Sequence, residues 1–186
     1  MAKRKHGRQM SRDEIIQKMK KVGDMRRSAE TSPFTGVAIL ANHVQWKKEG
    51  WGQIKLTRYN QIVNDYETAI NAGEVEVETL SDRLWDKAEF KMEYVPFESC
   101  HGSSLRDRFD NEVIEFNNRI HLLATRHLTV HFNALMDLGY GKKRLERNKD
   151  WLNEYLRESE KGTFNIMDLH RELVDGVGIY IEIVHG

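Results

Sequence analysis

The stretch GYGKKRLERN, residues 139–148, sets two glycines around an aromatic residue and follows them with Lys142, Lys143, Arg144 and Arg147. These residue types at this spacing can hold an anion. Glycines let the backbone turn tightly, the first amides of the following helix have no intrahelical acceptor, and the helix dipole adds positive potential. The same arrangement also makes a plain helix corner plugged by Tyr140, so phosphate contact and a purely structural turn are both open. A second copy of the pattern, Gly50, Trp51 and Gly52, continues with Gln53 and Ile54 in place of the two lysines. An exposed Trp51 could stack on a base, although Trp46, Trp51, Trp85 and Trp151 all match the apolar periodicity of core positions.

Other candidates for chemistry are weaker. His127 and His131 lie four apart in HLLATRHLTVH, with His121 nearby, and that spacing can chelate a divalent metal from one helix face. Leu128, Val130 and Phe132 surround them, which favours satisfied core histidines over a metal site. Cys100 beside His101 has no orienting acid, and adjacent residues of an extended segment point apart. No catalytic residue, metal ligand or cofactor is therefore expected, and the chain reads as a non-enzymatic binding protein.

Formal charge is zero, with 29 basic and 29 acidic residues among 186, but the charges are segregated. Residues 1–27 carry ten Lys or Arg against three acids, a net of +7, and residues 64–98 carry ten acids against three bases, a net of −7. Such asymmetry suits either a polyanion-binding arm or self-association of the two poles, so a homodimer is one expectation. Lys3, Arg4, Lys5, Arg8, Lys18 and Lys21 are the candidate contacts of the arm. The lone cysteine and the lack of a long apolar run point to a reduced, cytoplasmic setting without a membrane span.

The elements that would position these residues repeat. Shifting the chain against itself by 89 positions places Gly50 on Gly139, Gly52 on Gly141, Leu56 on Leu145, Arg58 on Arg147, Leu80 on Leu169 and Leu84 on Leu173 without a gap. The tails FKMEYV (90–95) and IYIEIV (179–184) fall in the same register, and their alternation predicts strands. The expected fold is mostly α with a minor β-ribbon, built from an internally duplicated helix, turn, helix, helix and strand unit. Its divisions are a basic N-terminal arm and helix at 1–30, a first unit at 31–95, a linker at 96–104 and a second unit at 105–186. Ser11 and Glu14 fit a capping box, and residues 105–138 read as one long helix or two.

A helix, a Gly-apolar-Gly turn and a second helix opening on basic residues resembles the helix-hairpin-helix family of DNA-binding elements. The resemblance implies phosphate contacts at Gly139, Gly141, Lys142 and Lys143 in one unit and at Gly50, Gly52 and Gln53 in the other. More loosely, GYGKKRLER followed by LHRELVDGVGI resembles small accessory proteins of phages and prophages, among which inhibitors of host defence nucleases, anti-CRISPR proteins included, recur. The expectation is a phage or mobile-element protein acting in the host cytoplasm. Its partner would be double-stranded DNA, or a host nucleic-acid-processing protein that it binds or inhibits, with Arg147 joining the turn residues at the contact.

Overall fold

The computed structural model describes residues 11–14, 16, 17, 20, 32–92, 105–161 and 163–182. Six helices account for most of them: α1 Ser32–Glu49, α2 Gln53–Asn71, α3 Val77–Ala88, α4 Leu105–Asp137, α5 Lys142–Glu160 and α6 Ile166–Val177. Ahead of these, residues 12–14, 16, 17 and 20 are helical, and the capping box forms. Ser11 N–H donates to Glu14 Oε2 at 2.8 Å and Glu14 N–H to Ser11 Oγ at 3.2 Å.

The second and third helices of the two units match one for one. Helices α2 and α5 are both 19 residues long, α3 and α6 both 12, and each pair starts 89 positions apart. Burial follows the same register, because a helix facing a core buries one stripe at three- and four-residue spacing. Leu56, Val63, Leu80 and Leu84 are buried in one unit, as are Leu145, Leu152, Leu169 and Leu173 in the other.

The units exchange their packing. Helix α1 packs on α6 and α5 of the second unit, α4 packs on α3 and α2 of the first, and α1 and α4 lie against each other. Residues 38–45 of α1 and 129–135 of α4 are buried without interruption, so the two leading helices form the centre and the others surround them. Such helices are normally apolar all round. Here Asn42, His43, Gln45, His131 and Asn133 are buried among the aliphatic residues. Asn42 Nδ2 donates to the Ala38 carbonyl and to Asn60 Oδ1, both at 2.9 Å, and Asn133 Nδ2 donates to the carbonyls of Leu80 at 3.0 Å and Thr129 at 2.9 Å.

The exchange is fastened by contacts that repeat with their charges reversed. On α3, Arg83 pairs with Asp137 at the end of α4. The residue 89 positions after Arg83 is Glu172 on α6, and it pairs with Lys47 at 3.1 Å and His43 at 3.2 Å on α1.

Residues 105–137, read as one long helix or two, form one helix of 33 residues. Two expectations change. Among the described residues none is in a strand, and the expected β-ribbon does not form at Phe90–Met92 or at residues 179–182; the rest of the two tails lies outside the described residues. Instead, α3 and α6 end on left-handed caps, Glu89 (φ 47°) and Gly178 (φ 67°), which turn the chain so that Phe90 and Ile179 plug into the core. The Phe90 amide returns to the Leu84 carbonyl and the Ile179 amide to that of Leu173, both at 3.3 Å, so these amides are spent on helix ends and not on a ladder. The second change is Trp85, expected in the core but 55% exposed on α3.

Candidate functional site: the paired glycine turns

Each leading helix ends on a glycine with positive φ, Gly50 at 67° and Gly139 at 88°. This left-handed position closes a helix cheaply only when no Cβ is present. The aromatic residue that follows turns inward. Trp51 and Tyr140 are both buried, and they meet edge to face with ring centroids 5.8 Å apart, so the two turns sit back to back. Tyr59 packs against the other side of Trp51 at 5.7 Å, and Tyr140 donates its hydroxyl to Gln45 Oε1 at 3.1 Å. A buried Trp51 is a core plug and presents no face for a base to stack on.

The basic residues after the turns look outward, but most of them meet carboxylates of their own chain. Lys142 Nζ lies 2.7 Å from Glu89 Oε2. Arg144 and Arg147 converge on Glu49, at 2.5 Å and 2.9 Å. The Glu49 side chain is only 8% exposed. Burial alone would raise its pKa, yet the hydrogen bonds from the two guanidinium groups outweigh burial and hold the carboxyl below its ordinary value. Each of these contacts joins one unit to the other. Arg144 also stacks its guanidinium 3.9 Å from the Tyr140 ring centroid, and the residue at the same place in the first unit, Lys55, sets its ammonium 4.2 Å from Trp51. Gly52, Gly141 and Lys143 are exposed, and Lys143 has no ion-pair partner among the described residues.

Of the other expected contacts, Lys3, Arg4, Lys5, Arg8, Lys18 and Lys21 lie outside the described residues, as do Cys100 and His101. No known protein family, curated protein or solved structure matches this chain. Its chemistry is therefore read from its own geometry.

The two helix-face histidines face different partners. His127 Nδ1 lies 2.8 Å from Glu67 Oε1, while His131 Nδ1 takes a 2.6 Å hydrogen bond with the Tyr59 hydroxyl. His131 is fully buried, and desolvation, followed by the neighbouring His127, drives its pKa down to about 3. The imidazole is neutral at physiological pH. Among the described residues no three of His, Cys, Asp and Glu come together as a metal site would require.

Sequence reasoning missed the acids. Glu49 directly precedes Gly50 and Glu89 directly follows α3, and both are helix-end residues that the repeat register passes over because Leu138 and Gly178 stand at the matching positions.

Proposed function

We propose that this chain is a non-catalytic accessory protein of a phage or mobile element that acts by direct contact with a host nucleic-acid-handling protein, as an inhibitor of a defence nuclease would. One observation carries the choice of a protein partner over a phosphate clamp: Lys142, Arg144 and Arg147 are already engaged by Glu89 and Glu49. A phosphate reaching Lys142, Arg144 or Arg147 would have to compete with those carboxylates, which lowers the charge the turn offers a nucleic-acid backbone. The two units descend from one by duplication. The shared helix lengths, left-handed caps and buried leucines at one offset support that origin, and the exchanged packing leaves the outer faces of the surrounding helices available for contact.

The test pairs two measurements. Purified protein, added to a panel of host defence nucleases that includes RNA-guided ones, stops cleavage by one of them at near-equimolar ratio. In a salt-titrated duplex-DNA shift assay, Lys142→Ala with Lys143→Ala leaves any binding unchanged. If no nuclease is inhibited, and the double variant flattens the log-log salt dependence of DNA binding by about two units, the protein is a phosphate clamp and this reading is wrong.

DNA binding through the N-terminal arm is the second reading, favoured by the +7 net charge of residues 1–27. It predicts steep salt dependence that the turn lysines do not affect.

A further inference from the structure

Helix α3 buries Leu80, Leu84 and Ala88 and turns the opposite stripe to solvent. That stripe holds Glu78, Asp82 and Trp85, at i, i+4 and i+7, with Asp86 beside it and Glu89 at the left-handed cap, and every one of these residues is exposed. Glu89 is held by Lys142, whereas Glu78, Asp82 and Asp86 have no ion pair among the described residues. An indole 55% exposed among carboxylates is costly to leave in water, and it suits an aliphatic or cationic side chain arriving from outside.

The chain carries the complementary surface. On the helical stretch that follows Ser11, Arg12, Ile16 and Lys20 recur every fourth residue, so an apolar side chain lies between two cations, with Asp13 at the edge of the same face. All three are exposed, Ile16 by 46%, and they belong to the 1–27 segment of net charge +7. The two stripes match in kind: an apolar residue between cations on a mainly basic face, against an apolar residue among carboxylates. Both are open to solvent within one copy, which leaves them to meet between copies.

We propose that the outward face of α3 docks the basic N-terminal segment of a second copy of this chain, with Ile16 against Trp85 and Arg12 and Lys20 against Glu78, Asp82 and Asp86. The contact is made twice, once from each copy, and closes a twofold dimer. It stands apart from the choice of host partner.

Sedimentation of the full chain over a range of concentrations tests the dimer. The parent dimerises, and raising NaCl to about 0.5 M weakens the dissociation constant at least tenfold, because exposed pairs are screened over a few ångströms at that ionic strength. Trp85→Ala weakens it as well. Two charge reversals give the decisive comparison: one chain carries Asp82→Arg with Asp86→Arg, the other Arg12→Glu with Lys20→Glu. Each alone is monomeric, because its basic or acidic face meets its like in a second copy. Mixed, they dimerise, since both contacts then join opposite charges. Circular dichroism checks that each reversal keeps the parent helicity, and Asp82→Asn with Asp86→Asn replaces the acidic-face reversal if that one does not fold. A parent that stays monomeric overturns the proposal, as does a dimer untouched by either reversal or a mixture that fails to associate.

Discussion

Lys142 reaches Glu89 across the boundary between the two units, Nζ to Oε2 at 2.7 Å, and Gln53 makes the matching reach to the Gly178 carbonyl at 3.5 Å. Residues 53 and 142 open their second helices, and residues 89 and 178 cap the third helices, so one junction is used twice with different chemistry. In the second unit it is ionic, and each partner favours the other's charged form: the hydrogen bond lowers the Glu89 pKa and raises that of Lys142. Lys142, the cation expected at a phosphate, is paired with Glu89 across the two units.

Glu49 is the most heavily used of these fasteners. Replacing it with Gln leaves Arg144 and Arg147 without their shared carboxylate and is expected to cost about 1–2 kcal/mol at neutral pH. The Glu49 pKa is lowered in the folded protein, so its contribution is fully present above the unfolded carboxyl pKa and is lost as pH falls through the folded value. Urea melts of parent and variant therefore differ at pH 7 and converge in acid. A constant gap at every pH would show that Glu49 acts through packing alone.

His131 imposes the opposite burden. With its folded pKa down at about 3, the unfolded chain takes up a proton that the folded core refuses as pH drops below the ordinary histidine value of 6.5. The parent should lose about 2 kcal/mol between pH 7 and pH 5 from this group. His131→Gln keeps an acceptor for the Tyr59 hydroxyl and removes that loss, which shows as a flatter pH dependence of unfolding free energy.

The two glycines of GYG differ in kind. Gly139 has φ of 88°, where a Cβ is strained, while Gly141 lacks a positive φ and an added Cβ would meet nothing within 4 Å. Gly139→Ala is expected to cost about 1–2 kcal/mol and Gly141→Ala less than about 0.5 kcal/mol. Thermal melts at one pH settle the order, and equal costs would contradict it.

Gly176 sits inside α6, where alanine would ordinarily favour the helix by about 1 kcal/mol. A Cβ there would lie 2.4 Å from two carbons of the Trp46 ring. Gly176→Ala is thus expected to destabilise the protein by about 1–3 kcal/mol, the usual cost of overpacking, and Trp46→Leu in the same chain should recover most of it. A stabilised single variant would mean that the ring moves aside freely.

Local features were legible in the sequence to the extent that they depend on neighbours. The glycine caps, the capping box at Ser11 and the buried leucine stripes all follow from spacing within a few residues. The tails misled at residues 90–92 and 179–182, because alternation over so few residues does not distinguish a strand from a chain leaving a left-handed cap. Contacts across the fold were out of reach: Arg144 and Glu49 are 95 positions apart, and His127 and Glu67 are 60 apart. Trp85 was misassigned for a related reason. Its periodicity fits a helix, but only the packing of α3 on α4 decides which stripe faces inward.

The reversed polarity of the pairs Arg83 with Asp137 and Glu172 with Lys47 gives the two halves a lock and a matching key. Two first units folded against each other would set each Arg83 against Lys47 and Lys48, and two second units would set each Glu172 against Asp137. Both self-pairings place like charges together, and only the mixed pairing satisfies all of them. A freshly made chain is thereby steered to close a first half on a second half, and pairings of two like halves are discouraged.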